Sequence, residues 1–357
     1  MRLSRDINMD ALRILGAFMV VSIHTIPECI NNYSLILQSI VRSGLPVFFM
    51  ISGMFILKSK INNIFTWYYT RIISLVIPFL IFGYLHLEIV SQSIANTHAT
   101  PSAFFDLILK STTALSGHYW FVYSIFGIYI IAPAINAIIT NINEQMALRA
   151  FIILMILNAI NMHYTAIQQL TGLRIENIFS IPQVFVWLHY FINGFLIYKS
   201  IKLISWKMIS FMFSLGLLLT IDFTYITPNK YGITFSQYDQ GISMFLLCSG
   251  LFASFVKMEN VFSKTNNITL KAIEILSKNT YGIYLIHISI LISLPKIMPN
   301  LFAYLNEGEF YITESFIIFS SSFFICAFVN PLIDLLISIM RDISKLKPKT
   351  SLTTERT

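Results

Sequence analysis

An all-α integral membrane protein, a bundle of about ten transmembrane helices with both termini in the cytoplasm, is the fold class that three features of this sequence predict. Of its 357 residues, 56% are hydrophobic and only 11% charged, with a mean hydropathy of +0.71; an ordinary soluble chain is about 25% charged. Its 31 Phe, 17 Tyr and 14 Met exceed what one soluble core can bury, whereas lipid-facing helices need that apolar surface. Finally, with the amino terminus placed inside, all of the 24 Lys and Arg except Arg42, Lys110, Arg174, Lys230 and Lys296 fall on the cytoplasmic side, as the positive-inside rule requires for an even number of spans. The formal charge of +7 is therefore topological and calls for no nucleic acid. Soluble enzymes, disordered tails and DNA-binding domains are excluded by composition alone.

A span needs roughly 20 mostly apolar residues. Such runs lie near Ile7 to Ile26, Leu37 to Leu57, Ile72 to Ser93, Tyr119 to Ile139, Met146 to Met162, Pro182 to Tyr198, Met208 to Ile226, Gln240 to Val256, Ala272 to Leu294 and Ile312 to Ile339. Turn-forming residues punctuate them, among them Lys58-Ser-Lys60, Asn141-Ile-Asn143, Gly172, Pro228-Asn229 and Asn266-Asn267. The first run continues past signal-peptide length with no small-residue cleavage site before Pro27, so it is expected to stay as a helix. No loop is long enough to hold a soluble domain. We expect a single polytopic unit over residues 1–340 and a basic cytoplasmic tail over 341–357, so any chemistry occurs inside the bundle or at its rims. Cys29, Cys248 and Cys326 are widely spaced and make neither a disulfide framework nor a zinc pattern.

Charges inside spans cost several kcal/mol and are functional candidates by default. In the first span Arg13 and His24 are eleven residues apart, which leaves them about 20° apart around a helix and roughly 16 Å apart along it. Asp10, three residues before Arg13, shares that face and can pair with the guanidinium. Taken singly, Arg13 reads as a snorkelling interfacial residue and His24 as a helix-joining histidine. On one stripe they suggest more: a neutral imidazole near the outer end that takes a proton from a hydroxyl acceptor, and a fixed cation near the inner end that holds an anionic donor such as a phosphate.

The second span opens at Arg42 and carries the small pair Ser52-Gly53, which permits close helix approach. Arg71 enters the third span from the cytoplasm, where an Arg is usually a topology anchor. The fourth begins His118-Tyr119-Trp120-Phe121, whose aromatics suit the interfacial belt and whose His118 should lie level with His24. In the ninth, Tyr284 and His287 stand one turn apart on one face, either a packed polar seam or part of a substrate channel. His86, Glu88, His189, Asp222 and Asp334 lie near or within spans and receive no assignment.

Together these residues resemble the membrane acyltransferase-3 family, whose members transfer acyl groups, commonly acetyl, onto cell-surface sugars and other acceptors. Asp10, Arg13 and His24 are similar to its first-helix signature, Pro46-Val-Phe-Phe-Met-Ile-Ser52-Gly53 to its second-helix motif, His118-Tyr-Trp120-Phe to its fourth-helix start, and Tyr281-Gly-Ile-Tyr284-Leu-Ile-His287 to its late block. The matches run in the family's order along nearly the whole chain. The layout is most similar to short members without an added extracytoplasmic domain, among them the O-acetyltransferase of enterobacterial common antigen. Many members carry Arg-x-x-Arg at the start of the third span; here the first position is Tyr68, leaving Arg71.

The resemblance implies an O-acyltransferase of the bacterial cytoplasmic (inner) membrane, using cytoplasmic acetyl-CoA and no metal. It would acylate a hydroxyl of a cell-surface polysaccharide or its lipid-linked precursor. Arg13, Arg71, Lys58 and Lys60 would seat the donor, and Arg42, Ser52, His118, Trp120, Tyr284 and His287 would line the substrate path. His24 would be general base or a transient acyl carrier, with Arg13 and Asp10 completing the reacting set. Two rival readings stand beside it, a transporter or flippase for a lipid-linked sugar and a non-catalytic membrane scaffold; the inverted repeat expected of the first is not visible.

Overall fold

The structure, a computed structural model, describes residues 6–27, 32–172, 187–233, 241–258, 265–307 and 310–345. Every described regular element is helical. In chain order these are α1 (Ile7–Thr25), α2 (Asn32–Val41), α3 (Gly44–Leu57), α4 (Ile64–Ala95), α5 (Pro101–Lys110), α6 (Trp120–Ile139), α7 (Glu144–Thr171), α8 (Leu188–Ser200), α9 (Trp206–Ile221), α10 (Thr227–Tyr231), α11 (Ile242–Lys257), α12 (Asn267–Ile297), α13 (Pro299–Glu307) and α14 (Tyr311–Lys345). Eight stretches of the described residues are long and apolar enough to cross a membrane: Ile7–Thr25, Tyr33–Leu57, Ile64–Ala95, Gly117–Ile139, Glu144–His163, Trp206–Tyr231, Asn267–Ile297 and Tyr311–Asp342. The other two expected runs hold the shorter helices α8 (13 residues) and α11 (16 residues); residues 182–186 and Gln240 of those runs lie outside the described residues, as does Cys29.

The starts of α1, α4, α7, α9 and α12 share one end of the bundle and are capped there by short polar side chains. Asp6 accepts from Met9 N at 3.2 Å, Asn63 from Thr66 N at 3.0 Å, Asn143 from Met146 N at 2.8 Å, Ser205 from Met208 N at 3.2 Å and Asn266 from Thr269 N at 2.8 Å. Side chain to backbone links hold this end together: Asn8 donates to Met258 O, Asn136 Nδ2 to Leu57 O at 3.0 Å, Tyr69 OH to Met340 O at 2.7 Å and Lys257 Nζ to Ile201 O at 3.2 Å. At the opposite end Gln38 donates to Ile23 O at 2.9 Å, Ile242 N to His163 Nε2 at 2.9 Å, and Thr25 and Ser315 share a 2.6 Å hydroxyl bond. We refer to these as the capped end and the far end.

Among the described residues, α3 approaches α8 very closely, as the Ser52-Gly53 pair suggests. A Cβ on Gly53 would stand 1.7 Å from Phe191 O, and one on Gly194 would stand 1.9 Å from Met50 O. Only the absence of a side chain at both positions lets these backbones meet. Around this pair α1 packs on α3, α12 and α14, α12 also meets α4, and α9 meets α11. The largely exposed α14 presents Phe316, Phe324, Phe328 and Leu332 outward.

The structure corrects several expected boundaries. The second run is two helices, because Pro46 has no N–H for the carbonyl of Arg42 and the chain breaks at Arg42-Ser43. The seventh passes Asp222 through a π-turn, with Thr227 Oγ1 donating to Asp222 Oδ2 at 2.9 Å. It then continues across Pro228 to a left-handed Gly232 at φ 66°. Tyr119, expected in an interfacial belt, is fully buried and donates to Leu285 O at 2.8 Å. The last helix runs past residue 340 to Lys345, and residues 346–357 of the basic tail lie outside the described residues.

Candidate active site

Two cavities of similar size sit in the middle of the bundle. The one nearer the capped end has a volume of about 210 Å³ and is lined by Arg13, Ser52, Arg71, Tyr129, Thr280 and Tyr284, among others. The one nearer the far end has about 230 Å³ and is lined by His24, Arg42, Gly117, His118, Trp120 and Tyr284, among others. Tyr284 is common to both and forms their dividing wall. Its hydroxyl donates to His118 O, and its ring packs edge-on against Phe121 at 5.1 Å and His118 at 5.5 Å.

The cations of the first cavity come from separate helices. Asp10, fully buried, accepts from Arg13 Nη1 at 3.0 Å and from Ser277 Oγ at 2.7 Å. That carboxylate ties α1 to α12 and sets the direction of the guanidinium, whose side chain stays 31% exposed. Asp10 itself lines neither cavity. Tyr68, which stands where an Arg-x-x-Arg pattern would put its first Arg, donates to Ile130 O at 2.5 Å. The cavity nonetheless has two guanidinium groups, because α1 supplies Arg13 beside Arg71 of α4. Lys58 and Lys60 are not brought into the lining: Lys60 is exposed, and Lys58 Nζ stands over the rings of Phe55 at 5.2 Å and Tyr198 at 4.9 Å. The Phe55 ring also carries Arg13 at 4.9 Å, so Lys58 belongs to the rim of the same end.

The second cavity borders a cluster of imidazoles. The His24 ring lies 5.2 Å from that of His287 and 6.2 Å from that of His118, and His118 and His287 are 5.0 Å apart. A fourth ring, His86, stands 5.9 Å from His118 and shares a 2.7 Å bond with Ser289 Oγ. His287 Nδ1 sits 2.7 Å from Tyr284 O. A carbonyl only accepts, so Nδ1 carries the proton and Nε2 of the neutral ring is an acceptor. Nε2 of His287 and of His118 are buried with no hydrogen-bond partner among the described residues, and His118 Nδ1 meets Ser116 Oγ at 2.8 Å. His24 is the exposed member of the cluster. A histidine that opens onto a cavity and is backed by fixed rings is suited to proton transfer.

The chain's family follows from its sequence as a whole: a family model described as an acyltransferase domain matches residues 6–330. The chain belongs to the acyltransferase-3 family. It is thus a membrane acyltransferase, a transferase of groups other than aminoacyl groups, in a family that generally moves acyl groups to carbohydrates. Comparison with curated proteins and with solved structures returns no match, so the likeness stands at the level of the family. Membership displaces the transporter and scaffold readings. Among the described residues of this acyltransferase, no three His, Cys, Asp or Glu side chains form a group that could hold a metal ion.

The structure brings together Arg13, Ser52, Arg71 and Tyr284 on one side and His24, Arg42, His118, Trp120 and Tyr284 on the other, with His287 directly behind His24. Three further residues belong to the site: His86, unassigned from the sequence, and Tyr129 and Ser277, which no motif singled out. His86 and Ser289 lie on different spans, α4 and α12, so no spacing within one helix could reveal their bond. Of the other unassigned residues, Glu88 meets His98 Nδ1 at 2.7 Å, and His189 meets Asn158 Nδ2 at 3.2 Å. Neither pair borders the two cavities.

Proposed function

We propose that this acyltransferase moves an acetyl group from cytoplasmic acetyl-CoA to a hydroxyl of a surface glycan or its lipid-linked precursor, in the cytoplasmic membrane of a bacterium. One observation carries this reading: a cavity with two guanidinium groups and a cavity with an exposed imidazole lie back to back on the Tyr284 wall. The basic capped end faces the cytoplasm by the positive-inside rule, with both termini there. Arg13 and Arg71 draw the anionic donor in, and the acceptor hydroxyl enters from the far end beside His24.

His24 removes the proton as the hydroxyl oxygen attacks the thioester carbonyl. The tetrahedral adduct collapses with cleavage of the C–S bond, and the thiolate leaves as CoA thiol with the proton from His24. Ser52 is a side-chain donor on the donor side for the developing oxyanion. The test is label transfer in inverted membrane vesicles fed radiolabelled acetyl-CoA together with cell-envelope glycans. Label in the glycan or lipid fraction that disappears in His24→Ala, at equal protein level, supports the reading. Undiminished label in that variant removes His24 as base, and no label in the wild type removes acetyl-CoA as donor.

A further inference from the structure

The donor cavity of about 210 Å³ is smaller than the roughly 300–1,000 Å³ of pockets that enclose drug-sized ligands. It has room for an acyl thioester and part of a carrier arm, but a nucleotide must lie elsewhere. A third cavity, of about 820 Å³, opens between α4, α12 and α14 in the capped half of the bundle. Ser74 and Tyr281 line both it and the donor cavity, so the two are separated by one layer of side chains. Tyr281 OH donates to Leu75 O at 3.0 Å, and Arg341 Nη2 donates to Ser74 Oγ at 2.9 Å. Arg341 therefore stands at the threshold between the two spaces.

Resting on the donor reading above, we infer that this vestibule seats the nucleotide end of the acyl-CoA donor, a 3′-phosphorylated adenosine diphosphate, while its arm runs past Ser74 and Tyr281 toward Arg13. The lining suits such a ligand better than a bare anion. Lys278 and Arg341 meet phosphate oxygens, while Asp334 and Asp342 balance them and accept from ribose hydroxyls and the adenine amino group. Asn279 and Asn330, joined by a 2.7 Å bond, add further amide groups deeper in the vestibule. The pair of Lys278 with Glu274 at 2.7 Å is half-exposed, and such surface pairs hold their partners weakly. A bond from Tyr69 OH to Met340 O at 2.7 Å closes the gap between α4 and α14 at the rim.

The test is donor preference, the ratio of kcat/KM for acetyl-CoA to that for acetyl-pantetheine, measured on the full-length protein in vesicles. Wild type should prefer acetyl-CoA, adenosine 3′,5′-bisphosphate should compete with acetyl-CoA, and Arg341→Ala or Lys278→Ala should lower the preference about tenfold, the usual loss for one charge-assisted hydrogen bond. A wild type that uses both thioesters equally well overturns the vestibule assignment, as does a preference unmoved in both variants or an equal loss with both donors. A wild type that uses neither thioester overturns instead the donor reading beneath it.

Discussion

The two central cavities are nearly equal in volume, about 210 and 230 Å³, and share a wall, yet their linings differ in chemistry. The donor-side cavity presents permanent cations, Arg13 held by the buried Asp10 and Arg71 entering from α4. The far-side cavity sets beside one guanidinium, Arg42, the imidazole of His24, whose ring nitrogen can take up and return a proton. Drawing in an anionic donor calls for fixed charge, whereas catalysing its reaction calls for a group that exchanges a proton. On the proposed function, the division across Tyr284 is one between drawing in the donor and proton transfer, and each prediction below tests whether it holds.

The largest effect should follow from His24→Ala, which should lower kcat by about 10²–10⁴-fold, the range for a lost general base, with the KM for donor unmoved; steady-state label transfer at varied acetyl-CoA reads both. A parallel rise in donor KM would mean that the two cavities are one functional site. Next comes His287, whose Nδ1 is fixed by Tyr284 O and whose ring lies 5.2 Å from that of His24. His287→Phe should lower kcat by up to about 10²-fold through misplacement of the His24 ring, while His287→Gln, which keeps a hydrogen-bonding side chain there, should recover much of it. Equal loss in both variants would assign His287 to packing alone.

Smaller again is the expected effect of Arg13→Gln or Arg71→Gln: about a tenfold rise in donor KM at little change in kcat, from the loss of a charged hydrogen bond. The rise should shrink in high salt as screening weakens the wild-type attraction. Least affected should be Lys58→Ala and Lys60→Ala, which alter the rim and not the lining; stopped-flow association of donor should slow by about twofold or less at low salt. A larger loss would extend the donor site outward past Phe55.

The legible part of this comparison lay within single helices, on both sides of Tyr284. Asp10, Arg13 and His24 lie on one helix, where 3.6 residues per turn fixes their relative positions before any packing is known. Tyr284 and His287 are one turn apart for the same reason. His86, by contrast, joins the cluster only because α4 packs on α12, which brings Ser289 to its ring. The role of Tyr68 was legible only as a departure, since its bond to Ile130 O depends on how α4 meets α6. Likewise, Lys58 and Lys60 read as donor ligands from charge and position, and the fold directs Lys58 onto two aromatic rings instead.

What the sequence determined by itself was the membrane solvent, the helical class and the face shared by Arg13 and His24. These follow from composition and from the fixed geometry of a single helix, in which every backbone group is satisfied locally. The tertiary structure alone decided that Arg71 joins Arg13, that Tyr284 divides two cavities, and that three further imidazoles gather near His24. Those contacts cross between helices, and their geometry depends on glycines such as Gly53 and Gly194 letting particular backbones touch, which no periodicity along one helix encodes.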